Sequence, residues 1–182
     1  MKYTKGYLPT YYNGINFRSR LEARWAVFFD SLRVRYRYEP ARLAVVPYGY
    51  TPDFLLPLQD RFDRVLWVEV KPSDYEPSDI DKPDALACPD IPVAFIHEPF
   101  VPNDNFAACV HSIYFGGACD YDHGFCQCSQ CGKIGFEFEG RSSRLRCSCG
   151  SGFEGDEWTG ASPDLIAAYQ AAVSHRFAAN KS

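Results

Sequence analysis

The chain of 182 residues has no apolar run of the roughly 18 residues that a membrane span requires. Its N-terminal segment, MKYTKGYLPTYYNG, lacks an apolar stretch ahead of a small-residue cleavage site, so no secretory leader is expected and the setting reads as cytoplasmic. A disulfide framework is missing too. Cys88, Cys109 and Cys119 are scattered, whereas Cys126, Cys128, Cys131, Cys147 and Cys149 fall within 24 residues, which without an export signal reads as a set of metal ligands. Net positive charge is also lacking: 19 Lys and Arg stand against 23 Asp and Glu, which on average disfavours nucleic acid. The hydrophobic fraction of 46%, with 16% aromatic residues, excludes a disordered chain and suits one domain with a small module attached.

The average charge hides a local one. Residues 1–42 carry nine Lys and Arg against three acids, Glu22, Asp30 and Glu39, while acids gather in Asp74–Asp90. A basic segment within an acidic protein can form a phosphate-binding face. Arg18, Arg20 and the arginines of 33–38 are candidates for it.

Along the chain, residues 1–16 read as irregular, with a turn at Asn13-Gly14. From Arg18 to Leu32, Phe17, Leu21, Trp25, Phe28 or Phe29 and Leu32 recur at helical spacing, with Glu22 beside the stripe. Arg33–Tyr38 alternates as a half-exposed strand, and Leu43–Val46 and Tyr50–Leu56 read as extended pieces. Pro52 lacks a ladder donor, so it belongs at a strand start, edge or bulge, which sets Asp53 at an irregular point of the sheet. Arg64–Lys71, RVLWVEVK, is a buried strand: Leu66, Val68 and Val70 point one way, and Trp67, Glu69 and Lys71 the other. A short helix is expected around Ser78–Leu86, then a core strand over Ile91–His97, and Cys109–Phe115 is a further candidate strand. The expected class is therefore α/β, with a core domain over 1–122.

Residues 123–158 read as a small zinc ribbon. Cys128-Ser-Gln-Cys131-Gly132 has the gap and following glycine of a zinc knuckle, and Cys147 with Cys149 forms the second pair. Ile134–Phe138 and Leu145–Cys147 would be its hairpin arms. Cys126 and His123 compete as ligands, and Arg141, Arg144 and Arg146 are candidates to touch phosphate. Four thiolates would saturate Zn2+, so the metal there is structural. Residues 159–182 form a last segment with a helix over Leu165–Phe177. Its apolar side is read as Leu165, Ile166, Tyr169, Val173 and Phe177, docking on the core or on a second copy.

Glu22, Asp53, Glu69 and Lys71 are the candidate chemistry. Hard carboxylate oxygens suit Mg2+ or Mn2+, which neutralise charge developing on a phosphodiester in hydrolysis. Asp53 and Glu69 would hold that metal, with the Val70 carbonyl as a further ligand. Lys71 would orient the attacking water or stabilise charge, and Glu22 would take a second metal or order the water network. Each acid also has an ordinary reading as solvated surface.

Pro52-Asp53 followed sixteen residues later by Glu69-Val70-Lys71, after GINFRSRLEARWAVFFDSLRVRYRYEP, resembles the PD-(D/E)XK nuclease superfamily. The likeness covers residues 14–98. It is similar to phage and mobile-element members, including transposon-end endonucleases, and to Holliday-junction resolvases in supplying a helix glutamate. The resemblance implies a restriction-endonuclease-like mixed central sheet flanked by helices, with metal-dependent endonuclease action on DNA in a bacterial or phage-infected cell. Lys82 falls where many members carry a further Gln or Lys, although Pro77 and Pro83 interrupt the region. A homodimer and a targeting protein are the partners implied, with no membrane. The alternatives are a non-cleaving DNA-binding accessory protein of the same fold and a zinc-stabilised interaction subunit.

Overall fold

In the computed structural model, the described residues are 8–40, 51–57, 65–73, 93–99, 101, 111–115, 118–138, 149 and 162–178; for 111–115, 118–122 and 137–138 the description covers the backbone. Leu43–Val46, Ser78–Leu86, Lys82, Arg141, Arg144, Arg146 and Cys147 lie outside them.

Residues 10–17, read from sequence as irregular, form a hairpin of β1 (Thr10–Tyr12) and β2 (Ile15–Phe17). Asn13 and Gly14 supply the two successive positive φ angles, 47° and 83°, that a two-residue hairpin turn needs. Helix α1 (Arg20–Ser31) follows, with Ser19 as N-cap: its Oγ accepts the Glu22 N–H at 3.1 Å and donates to Glu22 Oε1 at 2.8 Å. This Ser-x-x-Glu arrangement is a variant of the capping box. At the other end Arg33 adopts φ 55°, and Val34 N–H to Phe29 O with Arg33 N–H to Asp30 O closes a Schellman motif.

Among the described residues the main sheet has seven strands in sequential order: β3 (Arg37–Tyr38), β4 (Phe54–Pro57), β5 (Val65–Val70), β6 (Val93–Ile96), β7 (His111–Phe115), β8 (Ala118–Gln127) and β9 (Ile134–Phe138). Every neighbouring pair is antiparallel except β5 and β6, which run parallel. The strand expected over Arg33–Tyr38 is laddered only at Arg37 and Tyr38. Arg33 is taken by the helix stop, and the register would set Arg35 opposite Pro57, which has no N–H to give. The alternation of exposed and half-buried residues over 33–38 persists without the ladder.

Helix α1 packs against both the sheet and α2 (Pro163–Ser174), which explains why Phe28 and Phe29 are both buried. Phe29 packs on Phe54 at 5.4 Å between ring centroids, and Phe28 on Tyr169 at 4.5 Å. Each such ring contributes about 1.5–3 kcal/mol by leaving water. The terminal helix thus docks on its own chain, and Arg24 donates to the Ala172 and Val173 carbonyls at its C-terminal end, where a cation complements the helix dipole. Its buried residues are Leu165, Ala168, Tyr169 and Ala172; Ile166 is half-buried and Val173 is exposed. Small alanines let the two helix axes approach, and that rotates the contact arc away from the bulkier residues read from sequence. Phe177 lies beyond the helix and meets Tyr12 edge-on.

Strand β8 runs across residue 122, where the sequence reading divided core from zinc ribbon, and Phe125, Ile134 and Phe136 belong to the same core as α1. The described partner of β9 is β8. The architecture is mixed α/β, with a mixed sheet and two helices among the described residues.

Candidate active site

The β4–β5 register pairs Phe54 with Val68, so one residue further Asp53 lies across from Glu69. Alternation sends Leu66, Val68 and Val70 into the core against α1 and leaves Glu69 and Lys71 on the opposite face. The β4–β5 ladder ends at Phe54 and Val68, and beyond it the Val70 N–H donates to Asp53 Oδ2 at 2.8 Å. Lys71 Nζ stands 2.6 Å from Glu69 Oε1. The Lys71 backbone is fixed to β6: its N–H donates to Ile96 O at 2.9 Å, and its carbonyl lies 3.0 Å from His97 Nδ1.

Glu22 enters from the start of α1. Its Oε2 accepts the Tyr38 hydroxyl at 2.5 Å and the Arg18 N–H at 3.1 Å, while Oε1 accepts Ser19 Oγ. Arg18 then links the groups: its Nη2 donates to Asp53 Oδ1 and its Nε pairs with Glu39 Oε1 at 2.7 Å. The Asp53, Glu69, Lys71 and Glu22 set read from the sequence is thus drawn around one patch. The bridging roles of Arg18, Tyr38 and Glu39 were not read there. The Ser19-to-Glu22 capping spacing was the available signal for the first part of this network.

The three carboxylates are buried, each under 5% exposed; Arg18 pairs with Asp53 and Glu39, and Lys71 with Glu69. Burial, then Glu69 and Glu22, push the Asp53 carboxyl up to about 8, against the opposing pull of the Val70 amide and Arg18. Burial and the bond to Glu22 raise the Tyr38 phenol. Glu69 Oε2 is buried with no hydrogen-bond partner among the described residues, which is costly for an ionised oxygen. Buried carboxylates drawn together and an unpartnered oxygen fit a bound cation. The carboxylates do not themselves form a ready three-acid cage: among the described residues, the group of three metal-ligand side chains with donor atoms all within 4.8 Å is cysteine.

That group is Cys128, Cys131 and Cys149. Gly132, at φ 75°, closes the knuckle by donating its N–H to Cys128 O at 2.8 Å. The Cys128 and Cys149 sulfurs are 3.8 Å apart, far beyond the disulfide length of about 2.05 Å. It matches the separation of about 3.8 Å that tetrahedral Zn–S bonds of about 2.3 Å impose. These three cysteines can hold a metal such as zinc. Cys126 is fully buried in β8 and His123 is stacked on Phe136; neither belongs to the trio.

Beside β3 an open groove of about 820 Å3 is lined by Arg33, Arg35 and Arg37, with Asn13 and Asp30 at its α1 side. The three arginines are exposed on alternate positions, and the row leads to Tyr38 and Glu39 at the carboxylate centre.

No helix among the described residues is long and apolar enough to cross a membrane. No protein-family model, curated protein or solved structure matches the chain.

Proposed function

We propose that the chain is a divalent-metal-dependent DNA endonuclease built on a restriction-endonuclease-like, PD-(D/E)XK core. The observation that carries this reading is the centre at Asp53, Glu69 and Lys71. Two buried carboxylates and an ammonium share one sheet face, with Glu69 Oε2 unpartnered among the described residues. The order α1, three antiparallel strands β3–β4–β5, then β6 parallel to β5 supports it, because that is the mixed sheet the sequence resemblance implies.

Asp53 and Glu69 would hold Mg2+ or Mn2+ through hard oxygens, with the Val70 carbonyl as a further donor. The metal, when bound, supplies charge neutralisation at the scissile phosphate and makes the attacking water more acidic. Lys71 orients that water and keeps positive charge beside the reacting phosphate. Glu22 holds Arg18 and Tyr38 in place around the centre. Arg33, Arg35 and Arg37 offer a row of guanidinium groups to the DNA backbone, where phosphate contacts position the duplex without reading sequence. Zinc at Cys128, Cys131 and Cys149, with Cys147 as the fourth thiolate, braces the fold. Two copies would bring two centres to the two strands, and a partner protein would supply targeting.

A second reading, a DNA-binding accessory protein that does not cut, is favoured by one observation: Glu22 already has protein partners on both oxygens. A cleavage panel separates the two. Linear, supercoiled, forked and four-way-junction DNA are incubated with Mg2+, Mn2+ or chelator, using wild type, Glu69→Ala and Lys71→Ala after a folding check. Metal-dependent cutting lost in both variants is the expected result. Binding without cutting on every substrate turns the assignment to the accessory reading.

A further inference from the structure

Both Asp53 oxygens have partners. Oδ2 accepts the Val70 amide and Oδ1 accepts Arg18 Nη2. The first comes from a backbone amide of β5, a donor whose position the sheet fixes. The second comes from a side chain that is 51% exposed, so its guanidinium reaches from the solvent rim into the centre. The Arg18 main chain is pinned independently, its N–H lying 3.1 Å from Glu22 Oε2 and 2.9 Å from the Tyr38 hydroxyl. The side chain can therefore leave without moving its own backbone. A second anchor is already engaged at the rim: Glu39 Oε1 takes Arg18 Nε on a different edge of the guanidinium. Glu39 is held there by its N–H bond to Asp53 O at 2.8 Å and by a φ of 39°, a conformation that costs a residue other than glycine about 1–2 kcal/mol.

We propose that Arg18 is the resident counter-cation of this centre and exchanges with a divalent metal at Asp53 Oδ1. The inference rests on the nuclease reading above. Asp53 cannot offer Oδ1 to a metal while the guanidinium holds it, and two cations on one oxygen repel. Metal loading thus frees Asp53 and leaves Arg18 on Glu39 alone, at the mouth of the centre, and the guanidinium taxes metal affinity by the fraction of time it occupies Asp53. Arg18 is a positioning residue in this account; it acts through Asp53.

The test is a Mn2+ titration of the zinc-loaded full chain, read by the electron paramagnetic resonance signal of unbound Mn2+. Wild type is compared with Arg18→Met, Arg18→Lys and Asp53→Asn, each checked for folding by circular dichroism. Arg18→Met keeps the apolar stem and loses the charge, and it is expected to bind Mn2+ about tenfold more tightly than wild type. Arg18→Lys is expected to stay near wild type, and Asp53→Asn to lose the site. A purely structural Arg18 would give weaker or unchanged binding on removal. Unchanged or weaker affinity in Arg18→Met, with the site still lost in Asp53→Asn, overturns the exchange and leaves the nuclease reading standing. Equal tightening in Arg18→Lys and Arg18→Met also overturns it, since charge would then not be what competes. An absence of any Asp53-dependent Mn2+ site, in wild type and Arg18→Met alike, overturns both.

Discussion

Val70 gives its backbone N–H to Asp53 Oδ2 at 2.8 Å, so a side chain at the start of β4 is tied to the strand that carries Glu69 and Lys71. The candidate acids are held at a fixed spacing by the sheet itself. Their mutual repulsion is therefore built in and cannot relax by movement of one strand alone.

That repulsion sets a pH dependence. The Asp53 carboxyl is pushed up to about 8 by burial, Glu69 and Glu22, against about 3.9 in the unfolded chain. The folded state then binds the extra proton between these values, so stability falls as pH rises from about 4 to about 8. The decline is at most about 1.4 kcal/mol per pH unit. Urea unfolding of metal-free protein at pH 5, 6, 7 and 8 is expected to show it, and Asp53→Asn to flatten it. A wild-type profile that rises across this range contradicts the shift.

Lys71 lies 2.6 Å from the buried Glu69 carboxylate. Lys71→Met leaves that charge without its ammonium and is expected to cost about 1–3 kcal/mol of stability in urea unfolding. If Lys71 acts on the water, cleavage falls further than stability explains, by about 10²- to 10⁴-fold. Single-turnover cutting at saturating metal, under conditions where the variant is folded, separates the two effects.

Ser19→Ala removes the Oγ that caps α1 and contacts Glu22. The expected loss is about 1 kcal/mol, read as a lower midpoint in thermal or urea unfolding. Glu22→Gln keeps a polar side chain at the cap and is expected to unfold close to wild type. Its effect on cleavage should be smaller than that of Glu69→Ala, because both Glu22 oxygens already serve Ser19, Tyr38 and the Arg18 amide.

Purified protein is expected to carry one zinc per chain, and a strong chelator to lower its thermal midpoint. Cys128→Ser and Cys131→Ser should each lose the metal, since both belong to the clustered trio. Cys126→Ala should keep it, because Cys126 lies buried in β8 outside that trio. Elemental analysis of the three variants gives the answer. Zinc lost in Cys126→Ala would make Cys126 the ligand.

Much of the framework was legible in residue order. Alternation within VLWVEV separates core positions from Glu69 because side chains on a strand point to opposite faces, whatever the rest of the chain does. Pro52 was confined to a strand start, edge or bulge because proline has no ladder donor, and β4 begins two residues after it. Cys128-Ser-Gln-Cys131-Gly132 marked a knuckle because a metal-binding turn needs two thiolates and a left-handed glycine close in sequence. Other features were missed for identifiable reasons. The hairpin at 10–17 is too short for a periodic signal. The α2 contact face runs through Ala168 and Ala172, whose small size favours close packing but adds little to an apolar pattern.

By itself, then, the sequence determined the core face of the Arg64–Lys71 strand and which residues can donate oxygen, sulfur or charge. These properties are local, set by backbone periodicity and side-chain chemistry within a few residues. Tertiary structure alone decided that Arg18 holds Asp53, that Tyr38 reaches Glu22, and that one buried carboxylate oxygen has no partner among the described residues. These depend on distances between residues 16 to 35 positions apart along the chain. Such distances follow from strand register and helix docking, and buried charges become strong only once the packed sheet has excluded water around them.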